Sequence, residues 1–178
     1  KKEKVKKAGG RQPPEKRKSE RTVGPMEIER KFLVKELPEN LEQYPHRELE
    51  QAYLCTSPVV RVRRDADRYE LTYKSGGLMM REEYNLPLTR EGYEHLLPKA
   101  DGIVIRKTRY VLPETEDLRI ELDLFHGEYE GLALAEVEFP SREAAEAYTP
   151  QPWMGEDVTM SGKYHNSVMS RAHDGGAS

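Results

Sequence analysis

Long apolar runs are missing from this chain. None of eighteen residues occurs anywhere in its 178, so a membrane-crossing helix is not readable, and the N-terminal lysines are followed by no apolar stretch of the kind a secretory signal needs. Cysteine is almost missing too. The single Cys55 cannot form an intramolecular disulfide and suits a reducing compartment, and beside Tyr53 and Leu54 it reads as a small buried residue rather than a nucleophile. The expected location is therefore cytoplasmic, with no membrane contact. Tryptophan occurs once, and Trp153 between Pro152 and Met154 is read as a packing residue. His46, His95, His126, His165 and His173 show neither HxH nor HExxH spacing, which argues against zinc and leaves them as surface or capping residues. No Walker pattern surrounds Ser75-Gly76-Gly77, so those residues after Lys74 are a hairpin turn.

What the chain has in quantity is charge of both signs. With 36% hydrophobic and 34% charged residues it suits one domain with a modest core. The net charge of −3 conceals an uneven distribution: residues 1–25 carry ten Lys or Arg against three Glu, and the body is acidic. That basic tail contains Gly9-Gly10, Pro13-Pro14 and few apolar residues, a composition that predicts disorder. It is either a solvated tail or an added extension, and Met26 would serve as a natural start. The folded domain is expected over 26–171, with a disordered C-terminal tail at 172–178.

Hydrophobic alternation predicts strands over 27–34, 50–55, 58–64, 68–74, 80–87, 103–112, 117–125 and 132–139. Asp65-Ala66-Asp67, Ser75-Gly76-Gly77 and Glu114-Thr115-Glu116 supply three hairpin turns, so the strands pair mostly antiparallel with sequence neighbours. Thr89 caps a helix running to about Leu97, Ser141 caps another over 142–148, and a last short helix is expected from about Lys163 to Arg171. Residues 36–49 fit either a loop or a helix.

Side chains two apart in a strand share a face. Glu27, Glu29 and Lys31 fall opposite Ile28, Phe32 and Val34; Arg61 and Arg63 fall together; Lys74 lies with Thr72 and Glu70; Arg81, Glu83 and Asn85 fall together. Lys107 and Arg109 share a side, as do Glu121 and Asp123, and Glu136 and Glu138. Two architectures accommodate this: a half-exposed sheet with charges in water, or a closed barrel whose charges meet across a lumen. Segregation of basic and acidic pairs onto different strands favours a site for a metal–polyphosphate complex, because hard cations take carboxylate oxygens and phosphoryl oxygens take Arg and Lys.

Glu27-Ile28-Glu29-Arg30-Lys31 resembles the ExExK signature of the CYTH superfamily, the triphosphate tunnel metalloenzymes. The likeness continues through Gln51-Ala52-Tyr53-Leu54, Arg61-Val62-Arg63, Thr72-Tyr73-Lys74-Ser75, Arg81-Glu82-Glu83-Tyr84, Lys107-Thr108-Arg109-Tyr110, Glu121-Leu122-Asp123, Glu136-Val137-Glu138, Val158-Thr159 and Lys163-Tyr164-His165-Asn166. It is strongest to the short bacterial members that hydrolyse inorganic triphosphate. The resemblance implies a mostly β fold: an eight-stranded antiparallel closed barrel, helices outside, and a C-terminal helix near a tunnel mouth. It implies Glu27, Glu29 and Glu138 as ligands of a Mg²⁺ or Mn²⁺ ion, with Glu121, Asp123 and Glu136 available to a second ion or to water. Lys31, Arg61, Arg63, Lys74, Lys107, Arg109 and Lys163 map onto the triphosphate-binding set, and Glu27, Glu29 and Lys31 onto the catalytic signature. Asn85 departs from the pattern, since relatives often carry glutamate there.

The implied activity is metal-dependent hydrolysis of tripolyphosphate to pyrophosphate and phosphate by a monomer or homodimer, with no specific nucleic-acid partner. The alternatives are a nucleoside or thiamine triphosphatase, an adenylate cyclase, or a non-catalytic polyphosphate-binding module.

Overall fold

Strands that are apolar on one side and charged on the other can hide both sets by rolling into a barrel whose outer wall is covered and whose lumen is polar. This chain does so. A computed structural model describes residues 26–171. Strands β1 (Met26–Val34), β2 (His46–Thr56), β3 (Val59–Asp65), β4 (Arg68–Lys74), β5 (Met80–Leu88), β6 (Asp101–Pro113), β7 (Arg119–His126) and β8 (Ala133–Glu138) run in the spatial order β5, β4, β3, β2, β6, β7, β8, β1. All neighbours are antiparallel, and β1 pairs back to β5 to close an eight-stranded ring. The closing seam is short, with Met26, Glu27 and Ile28 opposite Glu82, Arg81 and Met80. Further along, a four-residue strand absent from the sequence reading, β9 (Met154–Asp157), takes the same edge of β1. The segment after β9 fills the gap: Lys31 N–H donates to Thr159 Oγ1 at 2.9 Å and its carbonyl accepts from Val158 N at 2.8 Å.

The three expected hairpins form between β3 and β4, β4 and β5, and β6 and β7. Helix α1 (Arg90–Leu96) begins where Thr89 Oγ1 accepts from Gly92 N at 3.0 Å, and α2 (Arg142–Ala147) where Ser141 Oγ accepts from Ala144 N at 3.1 Å. Residues 36–49 resolve into a 3₁₀ turn at Leu41–Gln43 and the start of β2. Helix α3 (Asn166–Met169) is shorter than the expected Lys163–Arg171, because His165 is extended at φ −68, ψ 131 and so starts the helix only at Asn166. The expectations for residues 1–25 and 172–178 lie outside the described residues.

The outward apolar faces make two cores. Ile28, Phe32, Leu112, Ile120, Leu122, Ala135 and Val137 pack under Ala145 of α2 with Tyr148 and Trp153, and Ala52 and Val62 pack under Tyr93 of α1. Each fully buried Ile, Leu, Val or Phe side chain among them contributes about 1.5–3 kcal/mol. A third cluster lies inside the barrel. Going down the lumen face, Lys31 gives way to Leu33, Glu136 to Leu134, Asp123 to Phe125 and Lys107 to Ile105, and with Val158 and Met169 these residues stop one end with an apolar plug. The plug sits tightly against β6: Ile103 N donates to Ser170 O at 2.7 Å, and a Cβ on Gly102, at φ +71, would fall 2.1 Å from that same oxygen.

Cys55 corrects the sequence reading, being exposed rather than buried. A bulge in β2 between Tyr53 and Cys55 sets Tyr53 against Arg61 but Cys55 against Val60, turning the thiol outward at the barrel's end.

Candidate active site

Register decides which charges meet. Across β1 and β8, Glu29 faces Glu138 and Lys31 faces Glu136; across β7 and β8, Glu121 faces Glu136; across β1 and β5, Glu27 faces Arg81. On the opposite wall, β2 and β3 set Gln51 against Arg63 and Tyr53 against Arg61. Together these side chains enclose a cavity of about 190 Å³ that contains almost no apolar surface except Leu49 and Val59.

Much of the wall is already neutralised. Lys31 Nζ lies 2.8 Å from Glu136 Oε1, Arg109 Nη2 lies 2.8 Å from Glu136 Oε2, and Arg109 Nε lies 2.6 Å from Asp123 Oδ1. Lys107 Nζ takes the other Asp123 oxygen, and Arg109 also holds Glu121. Burial pushes Glu136 up, but Lys31, Arg109 and Lys107 overcome it and hold the carboxyl well below its usual range. Burial likewise opposes the charge on Arg109, yet Asp123 and Glu121 raise its pKa well above normal. Lys74 Nζ bridges Glu27 at 2.7 Å and Glu83 at 2.8 Å, while Arg81 Nη2 reaches Glu29 at 3.2 Å and Glu27 at 3.6 Å.

Two deficits of opposite sign remain. At the open mouth, burial and the charge of Glu29 raise the Glu27 pKa to about 7, and burial with Glu121, Glu83 and Glu29 raises that of Glu138. Glu138 has no ion-pair partner among the described residues. Toward the plug, Arg61 is 6% exposed and donates to Gln51 Oε1 at 3.2 Å; among the described residues it has no carboxylate partner and its Nε has no partner. Arg63 is paired through Nη2 with Glu70, yet burial and the nearby charge of Arg61 push its pKa downward, and its Nε has no partner among the described residues. A carboxylate without a cation at one end, Glu138, and a guanidinium without a carboxylate at the other, Arg61, suit a ligand that is itself an anion carrying a hard cation.

Most residues singled out from sequence converge here: Glu27, Glu29, Lys31, Arg61, Arg63, Lys74, Lys107, Arg109, Glu121, Glu136 and Glu138 all line the cavity. Asp123 does not line it. It is completely buried behind Lys107 and Arg109, whose nitrogens occupy both its oxygens. Lys163 precedes α3, is exposed, and lies over the Tyr164 ring at 5.4 Å outside the cavity lining. Asn85 accepts from Thr72 at 2.7 Å and donates to Glu83 Oε1 at 2.7 Å, orienting that glutamate toward Lys74.

His165, expected at the surface or at a cap, is the N-cap residue of α3, though its side chain makes no cap hydrogen bond, and it is not at the surface. It is buried in the cavity wall, where burial and the charges of Lys31 and Arg81 lower its pKa to about 4. Arg81, Glu83, Gln51 and Tyr53 also line the site. The parity that grouped Arg81 with Glu83 would have found the first two; no spacing marks His165, which arrives from the segment that seals the seam.

Among the described residues no three His, Cys, Asp or Glu side chains already converge as a metal cage. The donor set at the mouth nevertheless suits a hard divalent cation. Glu29 and Glu138 are cross-strand carboxylates on one face, an unfavourable pair that a shared cation would reverse.

The CYTH domain model matches residues 25–149. The chain is 40% identical over 148 residues to an inorganic triphosphatase of Nitrosomonas europaea, covering 81% of this chain and 96% of that protein. It is 35% identical over 147 residues to an inorganic triphosphatase of Acetivibrio thermocellus, covering 79% and 90%. The crystal structure of an inorganic triphosphatase superposes with a TM-score of 0.62 at 37% identity, covering 81% of this chain and 93% of that one.

Proposed function

This chain belongs to the CYTH domain family, and on that footing we propose that it hydrolyses inorganic tripolyphosphate to pyrophosphate and phosphate with the help of a divalent cation. Arg61 carries the reading: a buried guanidinium without a carboxylate is a costly arrangement unless an anion completes it. Arg61 and Arg63 bind the phosphate chain from one wall, and Lys31, Lys74 and Arg81 bind from the other. The carboxylate partners of Arg63, Lys31, Lys74 and Arg81 hold those four cations in place before substrate arrives, so little reorganisation accompanies the reaction.

Glu27, Glu29 and Glu138 would hold the cation, with Glu121 beside them; Mg²⁺ or Mn²⁺ suits all-carboxylate donors. When bound, the ion supplies charge neutralisation and Lewis-acid polarisation at the phosphoryl oxygens. In the reaction, water adds to a terminal phosphorus, the P–O bond to the remaining pyrophosphate breaks, and the proton of the water is released. Positioning and charge stabilisation account for most of the rate in such transfers. Lys31 and Arg109 keep Glu136 ionised, and Glu136 in turn keeps their charges fixed toward the phosphate chain.

The test is phosphate release from tripolyphosphate, ATP and thiamine triphosphate, each with Mg²⁺, Mn²⁺ or chelator, for the wild type and Glu29→Gln. Turnover of tripolyphosphate that needs the metal and falls by orders of magnitude in the variant is expected. Preference for an organic triphosphate would reassign the substrate, and tight binding without turnover would make the protein a binding module.

A further inference from the structure

The inner end of the cavity holds a hydrogen-bond donor that the protein does not satisfy. Gln51 is 1% exposed, and its Oε1 accepts from Arg61 Nη1, which only donates. The amide orientation is thereby fixed, and Nε2 is left as a donor with no partner among the described residues. Arg61 Nε is in the same state. Both residues line the cavity.

Their depth is given by register. Leu49 pairs with Lys107 and Gln51 with Ile105, so Gln51 sits where the lumen passes from charged side chains to the plug of Ile105, Phe125, Leu134 and Met169. His165 also lines the cavity, beside Lys31 and Arg81. Its Nδ1 lies 3.5 Å from Arg81 Nη1 and must accept, which puts the ring proton on Nε2 and makes the imidazole a neutral donor.

We propose that the plugged end of the cavity recognises a free terminal phosphoryl group, with Gln51 as the residue that determines this specificity. The proposal rests on the triphosphatase reading and extends it. An unesterified end offers three oxygens to Gln51 Nε2 and the Arg61 guanidinium. An ester group on that end would replace one acceptor and press against the apolar plug of Ile105, Phe125, Leu134 and Met169. The substrate class is therefore linear triphosphates with at least one free end.

The experiment is steady-state hydrolysis of tripolyphosphate by wild type, Gln51→Met and Gln51→Glu, with thermal unfolding of each and with competition by monomethyl triphosphate and by triphosphate methylated at both ends. Loss of one charge-assisted hydrogen bond predicts a KM about tenfold higher in Gln51→Met, with kcat changed less than about threefold. Gln51→Glu loses more, because its carboxylate pairs with Arg61 and repels phosphate. The monomethyl compound competes, and the dimethyl compound competes at least about tenfold less well. An unchanged KM in Gln51→Met, or equal competition by both methylated compounds or by neither, overturns the inference. If Gln51→Met fails to fold, the two methylated compounds tested on wild type still decide it. A wild type that neither binds nor hydrolyses tripolyphosphate would sink the triphosphatase reading itself.

Discussion

Glu29 on β1 and Glu138 on β8 are direct cross-strand partners, two carboxylates on the same lumen face of adjacent strands. A barrel selected for stability alone would place opposite charges there, as it does one step along at Lys31 and Glu136. Replacing Glu138 by Gln relieves the repulsion and is expected to stabilise the metal-free protein by about 0.2–1 kcal/mol at pH 7–8 while lowering turnover. The sign follows from linkage. A carboxyl whose folded pKa is raised loses stability as pH rises above its unfolded value, so the advantage of the variant should vanish near pH 4. Thermal unfolding in chelator at both pH values checks this.

Asp123 offers a way to separate metal binding from anchoring. Both its oxygens are taken by Lys107 and Arg109, so Asp123→Asn leaves buried cations short of charge and is expected to cost about 3–5 kcal/mol in urea unfolding. The Mg²⁺ concentration giving half-maximal activity in the surviving folded enzyme should stay within about twofold of wild type, that is, under about 0.5 kcal/mol. A large shift there would restore Asp123 to the metal set.

The neutral imidazole of His165 ties stability to mild acid. With its pKa near 4 in the folded protein and about 6.5 unfolded, the unfolded chain takes up a proton first as pH falls. Stability then declines between pH 6.5 and 4 by up to about 1.4 kcal/mol per pH unit. His165→Gln should remove that component, seen as a shallower fall in unfolding free energy across the window; parallel curves would show that His165 is not held neutral.

Lys163 should matter little. Exposed and outside the cavity lining, Lys163→Ala is expected to change stability by less than about 0.5 kcal/mol. Its KM for tripolyphosphate should move less than about twofold. Measuring both beside Lys31→Ala, which removes a buried partner of Glu136, gives the contrast.

Strand periodicity made much of this architecture legible. Two-residue alternation assigned every lumen-facing charge of β1, β3, β6, β7 and β8 to the correct face, since a strand offers only two sides and the apolar partners fix which is covered. Closure, by contrast, depends on three residue pairs between β1 and β5 and on the segment after β9, contacts that no local pattern encodes. His165 was missed for that reason: its burial comes from a segment folding back across the seam. Cys55 was misread because a single bulge resets alternation, and Asp123 because parity places a side chain on the lumen face without telling whether a neighbour has already covered it.

The apolar stopper formed by Phe125, Leu134, Ile105 and Met169 lies across one end of the cavity. Under the proposed triphosphatase reading, a fragment held beside Gln51 would then have to pass the carboxylates Glu27, Glu29 and Glu138 on its way to the mouth, so the two products would leave in order, the outer one first.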